Sequence, residues 1–309
     1  MSTKEILVYF FDEEAAKQFK AELPTSNPLA SGRYKEVSEN SDGTKVYLRY
    51  KIEFTPAEVL EKLEKYTEED ISLNFEMIAK DGLNVAPFFG AFKQGDEFVQ
   101  VQGKVPGDVI QIKSKSNAAT KFLTEDEKST LAINKQRDLI IKRQQEYNLK
   151  MHQQLVDAPQ NFYDKLLSDA KILAYKYGQK LSDSHTENFT FSPEKGFFFL
   201  DLDPLTIAKE SGSYCRDYTI FKCIGHLFDN INYHFTQCYD ENTKKQITKA
   251  NQHIIRKYVQ AALNCDFKFD PEDLYQIHQF IKHNCTPEDA TQISNQFVAQ
   301  YIEKNKDLK

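Results

Sequence analysis

The chain has 309 residues, of which 40% are hydrophobic, including 23 Phe and 16 Tyr. This apolar content excludes a disordered chain, and the length allows a substantial core in one two-lobed unit or two modest domains. The formal net charge of −6 argues against a general nucleic-acid binder, which would carry a strongly basic balance.

The cysteines and the apolar runs indicate the environment of the protein. The five cysteines are scattered, with no closely spaced pair that would bind zinc or form a redox motif. Their odd number favours reduced, buried thiols in a cytosolic setting. The longest early apolar run, residues 6–11, is too short for a signal-peptide core or a membrane span, so we expect neither.

Strand and helix patterns alternate in the amino-terminal half. The predicted elements are, in chain order, a strand at 5–11, a helix at 12–23, strands at 34–38 and 44–54, a helix opened by a capping box at 55–58, a second helix capped at Thr67 and running toward Gly82, and strands at 85–92 and 97–102. The Asn40-Ser-Asp-Gly43 run between the second and third strands is a strong hairpin turn. We expect residues 1–28 to form an extension and residues 29–105 a small antiparallel sheet domain.

The carboxyl-terminal half is mainly helical. We predict a long helix from a cap at Thr124 to about 156, a helix at 160–178, a β-hairpin at 188–192 and 197–200, and helices from 217 to the end. Residues 106–309 would then form a helical domain with an inserted helical segment at about 115–157. The expected fold class is α+β.

One segment of this helical half carries residues suited to phosphoryl transfer. That reaction needs a carboxylate to orient and deprotonate an acceptor hydroxyl, and oxygen ligands to hold Mg²⁺ against phosphates. Asp183 and Asn188 are five residues apart, which is the spacing in the H-R-D-x-x-x-x-N catalytic loop of kinases. Asp201 follows 13 residues later, after an apolar run, where the metal-binding Asp of D-F-G would fall. The hairpin between them would aim all three side chains into one cleft.

The run Asp183-Ser-His185-Thr-Glu-Asn188 resembles the D-x-H-x-x-N loop of aminoglycoside phosphotransferases, choline kinases and related atypical kinases. The resemblance spans roughly residues 29–230 and is strongest at 178–204. It implies a two-lobed protein-kinase-like fold that uses ATP with Mg²⁺ or Mn²⁺. In that family pattern Asp183 is catalytic, Asn188 and Asp201 bind the metal, and Asp203 is a second metal ligand or supports the loop. His185 is expected to support the loop as a structural hydrogen-bonding residue.

The first sheet domain is similar to the family in its phosphate-binding elements. The segment 30–37 resembles the glycine-rich nucleotide loop but keeps only the central Gly32. Val46-Tyr-Leu-Arg49 occupies the place of V-A-I-K, and an arginine there resembles choline kinases. Lys51 lies two residues on, on the same strand face, so either cation would bind the phosphates. Glu76 is the expected ion-pair partner of that cation.

The run Gln102-Gly103-Lys104-Val105-Pro106-Gly107 resembles the hinge of kinases. The resemblance implies that the backbone of Gly103 and Val105 would hydrogen-bond adenine.

The sequence also departs from protein kinases. Ser182 precedes Asp183 where they have arginine, the metal segment reads Asp201-Leu-Asp203-Pro204, and no A-P-E motif follows. These departures indicate a short activation segment without loop phosphorylation.

The acceptor therefore stays open between a protein Ser/Thr and a small alcohol. Bacterial effector kinases are similarly divergent, which would place the protein in a host cytoplasm. The alternatives are a pseudokinase-like nucleotide-binding interaction module and AMP transfer on the same fold.

Basic side chains on the long predicted helix suggest one further partner. These residues are Lys135, Arg137, Lys142, Arg143 and Lys150. Such a row is usually a solvated face interleaved with acids. Docking of an anionic substrate or activator is the alternative.

Overall fold

The computed structural model of the chain describes residues 13–23, 30–31, 35–112, 115–205, 216–236 and 240–306. Two compact units are present. The first comprises Met1–Pro106, Ile112–Gln144 and Phe198–Gly212, and the second comprises Gly107–Gln111, Gln145–Phe197 and Ser213–Lys309. The strand predicted at 5–11 and the loop residue Gly32 lie outside the described residues.

An antiparallel sheet of five strands forms the centre of the first unit. Its strands are β1 Ala30–Ser31, β2 Lys35–Glu39, β3 Lys45–Lys51, β4 Phe88–Gln94 and β5 Glu97–Gly103, in the order β1-β2-β3-β5-β4. The predicted hairpin between β2 and β3 is confirmed. Gly43 has a φ of +71° and donates its N–H to Asn40 O at 3.1 Å. The Asn40 side-chain oxygen accepts from the Thr44 and Lys45 N–H groups, which closes the turn.

Alternate residues of β3 pack on opposite faces of this sheet. Tyr47 packs in a cluster with Phe19 of α1, Glu13–Ala21. Leu48 and Tyr50 belong to a different cluster, which includes Leu63 of α2, Ala57–Leu63, and Ile71 of α3, Glu68–Ala79. Because strand side chains alternate, Arg49 and Lys51 share the face of Tyr47.

The starts of α2 and α3 differ in their capping. The capping box predicted at Thr55 is wrong: Pro56 is the N-cap of α2 with no side-chain hydrogen bond, and Thr55 Oγ1 donates to Lys51 O at 2.7 Å. Thr55 thereby closes a 3-10 turn, Ile52–Phe54. The strand predicted to reach residue 54 therefore ends at Lys51. At α3 the predicted cap is confirmed, since Thr67 and Asp70 form a reciprocal capping box.

The single long helix predicted from Thr124 is wrong. The structure has α4 Lys115–Phe122, α5 Glu125–Thr130 and α6 Ile133–Asp157. Thr124 caps only α5, and Leu131 has an extended ψ of 140°. Ser129 and Thr130 donate their hydroxyls to Asp126 O, and such side-chain bonds to the backbone weaken a helix end.

The second unit holds a small sheet and a group of helices. These elements are β6 Asp108–Val109, β7 Phe189–Ser192 and β8 Gly196–Phe199, in the order β6-β7-β8, with α7 Gln160–Tyr175, α8 Asp217–Thr236, α9 Glu241–Asn264, α10 Pro271–Asn284 and α11 Pro287–Lys304. Its core is aromatic: the Tyr163 and Phe221 rings are buried, and Tyr258 stacks on Phe221 at 4.7 Å. The α+β fold class predicted from the sequence is confirmed, with a small antiparallel sheet and a mainly helical remainder.

Two features bear on the expected environment. Cys223, Cys265 and Cys285 are free thiols, and burial raises the pKa of Cys265 to about 11 and that of Cys285 to about 12. These thiols are therefore protonated at neutral pH and are poor nucleophiles. Among the described helices, none combines the length and apolarity needed to cross a membrane.

Gly107 permits an unusually close approach of two backbone segments in the second unit. It has a φ of +85°, and a Cβ at this position would lie 2.2 Å from Phe191 O. Gly95 has a similar φ of +60° but open space around it. Substitution of each glycine therefore distinguishes the cost of a positive φ, common to both, from the cost of the clash with Phe191, which occurs only at Gly107.

We expect Gly107→Ala to destabilise the protein much more than Gly95→Ala. The left-handed backbone alone costs about 1–2 kcal/mol for a side chain, and forced displacement of packed atoms adds about 1–3 kcal/mol. Urea unfolding of both variants measures the difference. Equal losses of unfolding free energy would show that Gly107 is needed only for its φ.

Candidate active site

The loop that carries Asp183 follows the end of α7. Gly178, with a φ of +68°, turns the chain out of the helix, and the Gln179 N–H donates to Leu173 O at 2.9 Å. Tyr177 and Leu181 are buried on either side of this turn. The entry to the loop is thus fixed by core packing.

Two buried hydroxyls anchor the loop itself. Ser184 Oγ donates to Leu181 O at 2.7 Å, and Thr186 Oγ1 donates to Gln111 Oε1 at 3.0 Å. Thr186 is fully buried, whereas the side chain of Asp183 is 77% exposed. Anchored residues therefore alternate with outward-facing ones along the loop.

Asn188 binds Asp183 through its amide nitrogen. Asn188 Nδ2 donates to Asp183 O at 2.9 Å and to Asp183 Oδ2 at 3.1 Å. The side-chain nitrogen is therefore committed to Asp183, so the oxygen is the atom that Asn188 can offer to a cation. The two residues predicted to act together from their spacing are in direct contact.

His185 supports the same carboxylate. The Glu187 N–H donates to His185 Nδ1 at 3.2 Å, which assigns the ring proton to Nε2 in the neutral form. Nε2 lies 3.4 Å from Asp183 Oδ1. Asp183 thus has one carboxylate oxygen beside Asn188 and the other beside His185.

Asp201 and Asp203 belong to the first unit, in the segment after β8. The Phe199 N–H donates to Asn84 O at 2.9 Å, and the Ala86 N–H donates to Phe199 O at 3.0 Å. Tyr66 donates its hydroxyl to Leu202 O at 3.2 Å. These bonds hold the segment on both sides of Asp201.

Each of these two carboxylates faces a lysine. Lys35 Nζ lies 2.5 Å from Asp201 Oδ2, and Lys62 Nζ lies 3.4 Å from Asp203 Oδ1. Burial raises the pKa of the Tyr50 phenol well above its usual value, and the Asp201 carboxylate adds to the rise. Tyr50 is therefore neutral, and the positive charge beside Asp201 comes from Lys35.

The two cations predicted from the sequence lie in other surroundings. Arg49 donates to Ser38 Oγ at 3.3 Å and lies 3.5 Å from Glu36 Oε2. Its Nε is buried and has no hydrogen-bond partner among the described residues. Lys51 is exposed at the end of β3. Both cations share the sheet face opposite Tyr50, and their role stays a prediction.

Glu76 lies on α3, and the hinge-like residues Gly103 and Val105 lie at and just after the end of β5. Glu76 is in the last turns of α3, 3.7 Å from Lys80 Nζ. The Gly103 N–H donates to Pro87 O at 2.7 Å, so an adenine contact of Gly103 would use its carbonyl oxygen. Val105 is buried two residues beyond. These assignments also stay predictions.

The predicted metal ligands fit Mg²⁺ or Mn²⁺ in chemistry. Asp201 and Asp203 already attract ammonium groups, and the Asn188 oxygen is a neutral hard donor. Within the described residues, no group of three or more His, Cys, Asp or Glu side chains is placed to hold a metal ion. Mg²⁺ commonly needs only one or two carboxylates, because phosphates and water complete its shell.

Two residues near these side chains have no signal in the sequence. Lys35 is an ordinary strand lysine, and Gln111 lies 75 residues from Thr186. An alignment of relatives showing a hydroxyl at 186 paired with an amide at 111 would have been needed to find that contact.

Comparisons with known proteins found structural likeness at low sequence identity. No protein-family model matches the chain, and no curated protein matches its sequence. The solved structure of the pseudokinase domain of BIR2, an immune regulator of the RLK/Pelle family, is 11% identical with a TM-score of 0.37, covering 94% of this chain and 87% of that one. Aminoglycoside phosphotransferase APH(3'')-Id from Streptomyces rimosus is 12% identical with a TM-score of 0.36, covering 90% of this chain and 98% of that one. Because both TM-scores lie below 0.5, the functional assignment rests on this chain's own residues.

Thr186→Val should destabilise the protein by about 1–3 kcal/mol, because it leaves the buried Gln111 Oε1 without a donor. In Thr186→Val combined with Gln111→Met both polar partners are gone, so the loss should be smaller than the sum of the single losses. A double-mutant cycle from chemical unfolding measures this coupling. Additive losses would contradict a stabilising bond between the two side chains.

Proposed function

We propose that the chain is an ATP-dependent, metal-requiring phosphotransferase, an atypical kinase with an alcohol-group acceptor. The observation that carries this proposal is the Asn188–Asp183 contact, which joins an exposed carboxylate to an amide with its oxygen available. The α+β fold and the resemblance of the 178–204 segment support the same function.

Asp183 serves as the base in this proposal. Its carboxylate orients the acceptor hydroxyl and takes its proton while the hydroxyl oxygen attacks the γ-phosphorus of ATP. The bond from the γ-phosphorus to the β,γ-bridging oxygen breaks, and ADP leaves. Asn188 and His185 fix the carboxylate, so little reorientation is needed during the reaction.

The remaining roles follow the resemblance. Asn188 and Asp201 would hold the metal, with Asp203 as a further ligand or a support for the segment. Bound Mg²⁺ or Mn²⁺ would neutralise negative charge on the phosphates. In the family pattern the phosphates are positioned by Arg49 or Lys51 with Glu76, and Gly32, Gly103 and Val105 contact the nucleotide.

The acceptor class follows less directly from the residues. Without an arginine before Asp183 and without an A-P-E motif, the sequence favours an atypical kinase that acts on a small alcohol or on a protein Ser/Thr, the latter including a bacterial effector kinase. An anionic activator bound to α6 would have to use the basic side chains other than Arg143. Arg143 is engaged in a two-point contact with Glu127 at 2.7 and 2.8 Å.

Transfer from γ-labelled ATP to the protein or to candidate acceptors tests the function. Asp183→Asn, Asn188→Ala and Asp201→Ala should each lower the transfer rate by about a hundredfold or more, because each removes the base or a metal ligand. Glu61→Gln is the matched control. Glu61 is an exposed acid on α2 that pairs only weakly with Lys65, so transfer should be unchanged.

Undiminished labelling in Asp201→Ala would overturn the proposal. Nucleotide binding without any transfer would instead support a pseudokinase-like interaction module. Label appearing only from α-labelled ATP would identify AMP transfer.

A further inference from the structure

A lysine on β2 lies beside the predicted metal ligand. Lys35 is paired in register with Tyr50 of β3, so the two side chains project from the same face of the sheet. Its Nζ lies 5.9 Å from the centre of the Tyr50 ring, and its side chain is 21% exposed. The aromatic ring and the strand pairing therefore hold the ammonium group in a defined place.

The ion pair between Lys35 and Asp201 is one that Lys35 can give up for another anion. Lys35 Nζ and Asp201 Oδ2 are 2.5 Å apart, and the Asp201 side chain is 38% exposed. Ion pairs between partly solvated side chains contribute little net stability, because water competes for both charges. An ammonium group has three donors, so it can contact a second anion before it leaves Asp201.

The other candidate cations of the first unit are less well placed. Arg49 and Lys51 lie on the sheet face of Tyr47, whereas Asp201 influences Tyr50 and Tyr66 on the opposite face. A side chain cannot change faces without a one-residue shift of the whole strand. Lys62 contacts Asp203 and is 57% exposed, so it is a loosely held surface group.

A side chain in contact with Asp201 would also lie close to phosphates that share a metal ion with it. Mg²⁺ bonds oxygen at about 2.1 Å, so a phosphate oxygen that shared the ion with Asp201 would lie within about 4 Å of that carboxylate. Lys35 Nζ is already in contact with the same carboxylate. A nucleotide phosphate bound there would therefore be within reach of this lysine.

We propose that Lys35 on β2, and not a cation of β3, binds the phosphates of the nucleotide. This inference rests on the proposed function and names the phosphate-binding residue of that site. Without nucleotide, Lys35 is paired with Asp201. When nucleotide binds, the ammonium group moves to the phosphate oxygens and releases Asp201 for the metal.

Equilibrium binding of ATP and of adenosine to the full chain tests this role without relying on activity. Lys35→Met should weaken ATP binding by about tenfold or more, the value of a lost charge-assisted hydrogen bond, both with Mg²⁺ and in EDTA. Adenosine binding should stay within about twofold, and Lys35→Arg should recover most of the ATP affinity. Lys93→Met, which removes a β4 lysine paired with Glu64, is the matched control and should bind ATP within about threefold of wild type.

Several results would overturn the role of Lys35. These are ATP affinity within about twofold of wild type in Lys35→Met, a larger loss in Arg49→Met or Lys51→Met, or a loss confined to Mg²⁺ buffer, which would mean that Lys35 only positions Asp201. Unfolding midpoints of Lys35→Met and of the milder Lys35→Gln show whether each variant is folded. A folded wild-type protein that bound no ATP would overturn the proposed function itself, and the role of Lys35 with it.

Discussion

The hydrogen bond between Thr186 and Gln111 is the constraint on which the candidate catalytic loop depends. It adds to other contacts between the segment 107–111 and the segment that contains the loop. These include the packing of Gly107 against Phe191 and the pairing of β6 with β7. Since both side chains are buried, the bond cannot be replaced by water without cost. These contacts therefore attach the exposed loop to the buried core. An exposed carboxylate can then be held in one orientation, which is what a base for phosphoryl transfer requires.

In the first unit the corresponding constraint is the alternation of β3. Two hydrophobic clusters on opposite faces fix the register of this strand, so each charged residue between them is also assigned to one face. The face with Tyr50 and Tyr66 also receives the segment that carries Asp201. A cation of the sheet that pairs with the Asp201 carboxylate must project from that face, and Lys35 does so.

Features encoded by neighbouring residues could be predicted from the sequence. The hairpin at Asn40–Gly43 and the cap at Thr67 each depend on a few adjacent positions, and the structure forms both. Competition between local options caused the errors: Thr55 bonds the backbone behind it and caps no helix, and the helix after Thr124 is interrupted at Leu131. Alternation along a strand shows which residues share a face, but not which face receives a distant segment, and contacts such as Lys35 with Asp201 join positions 166 residues apart. Neither leaves a pattern in one sequence.

We propose that this chain binds ATP and a metal ion and uses Asp183, Asn188 and Asp201 to transfer phosphate. A crystal structure with a non-hydrolysable ATP analogue and Mg²⁺ is the most direct test of this proposal. We expect a metal ion on the Asp201 carboxylate, with the Asn188 oxygen as a further ligand and the Asp183 carboxylate open to an acceptor. Phosphates bound away from Asp201, or a metal ion that touches neither Asp201 nor Asn188, would contradict it.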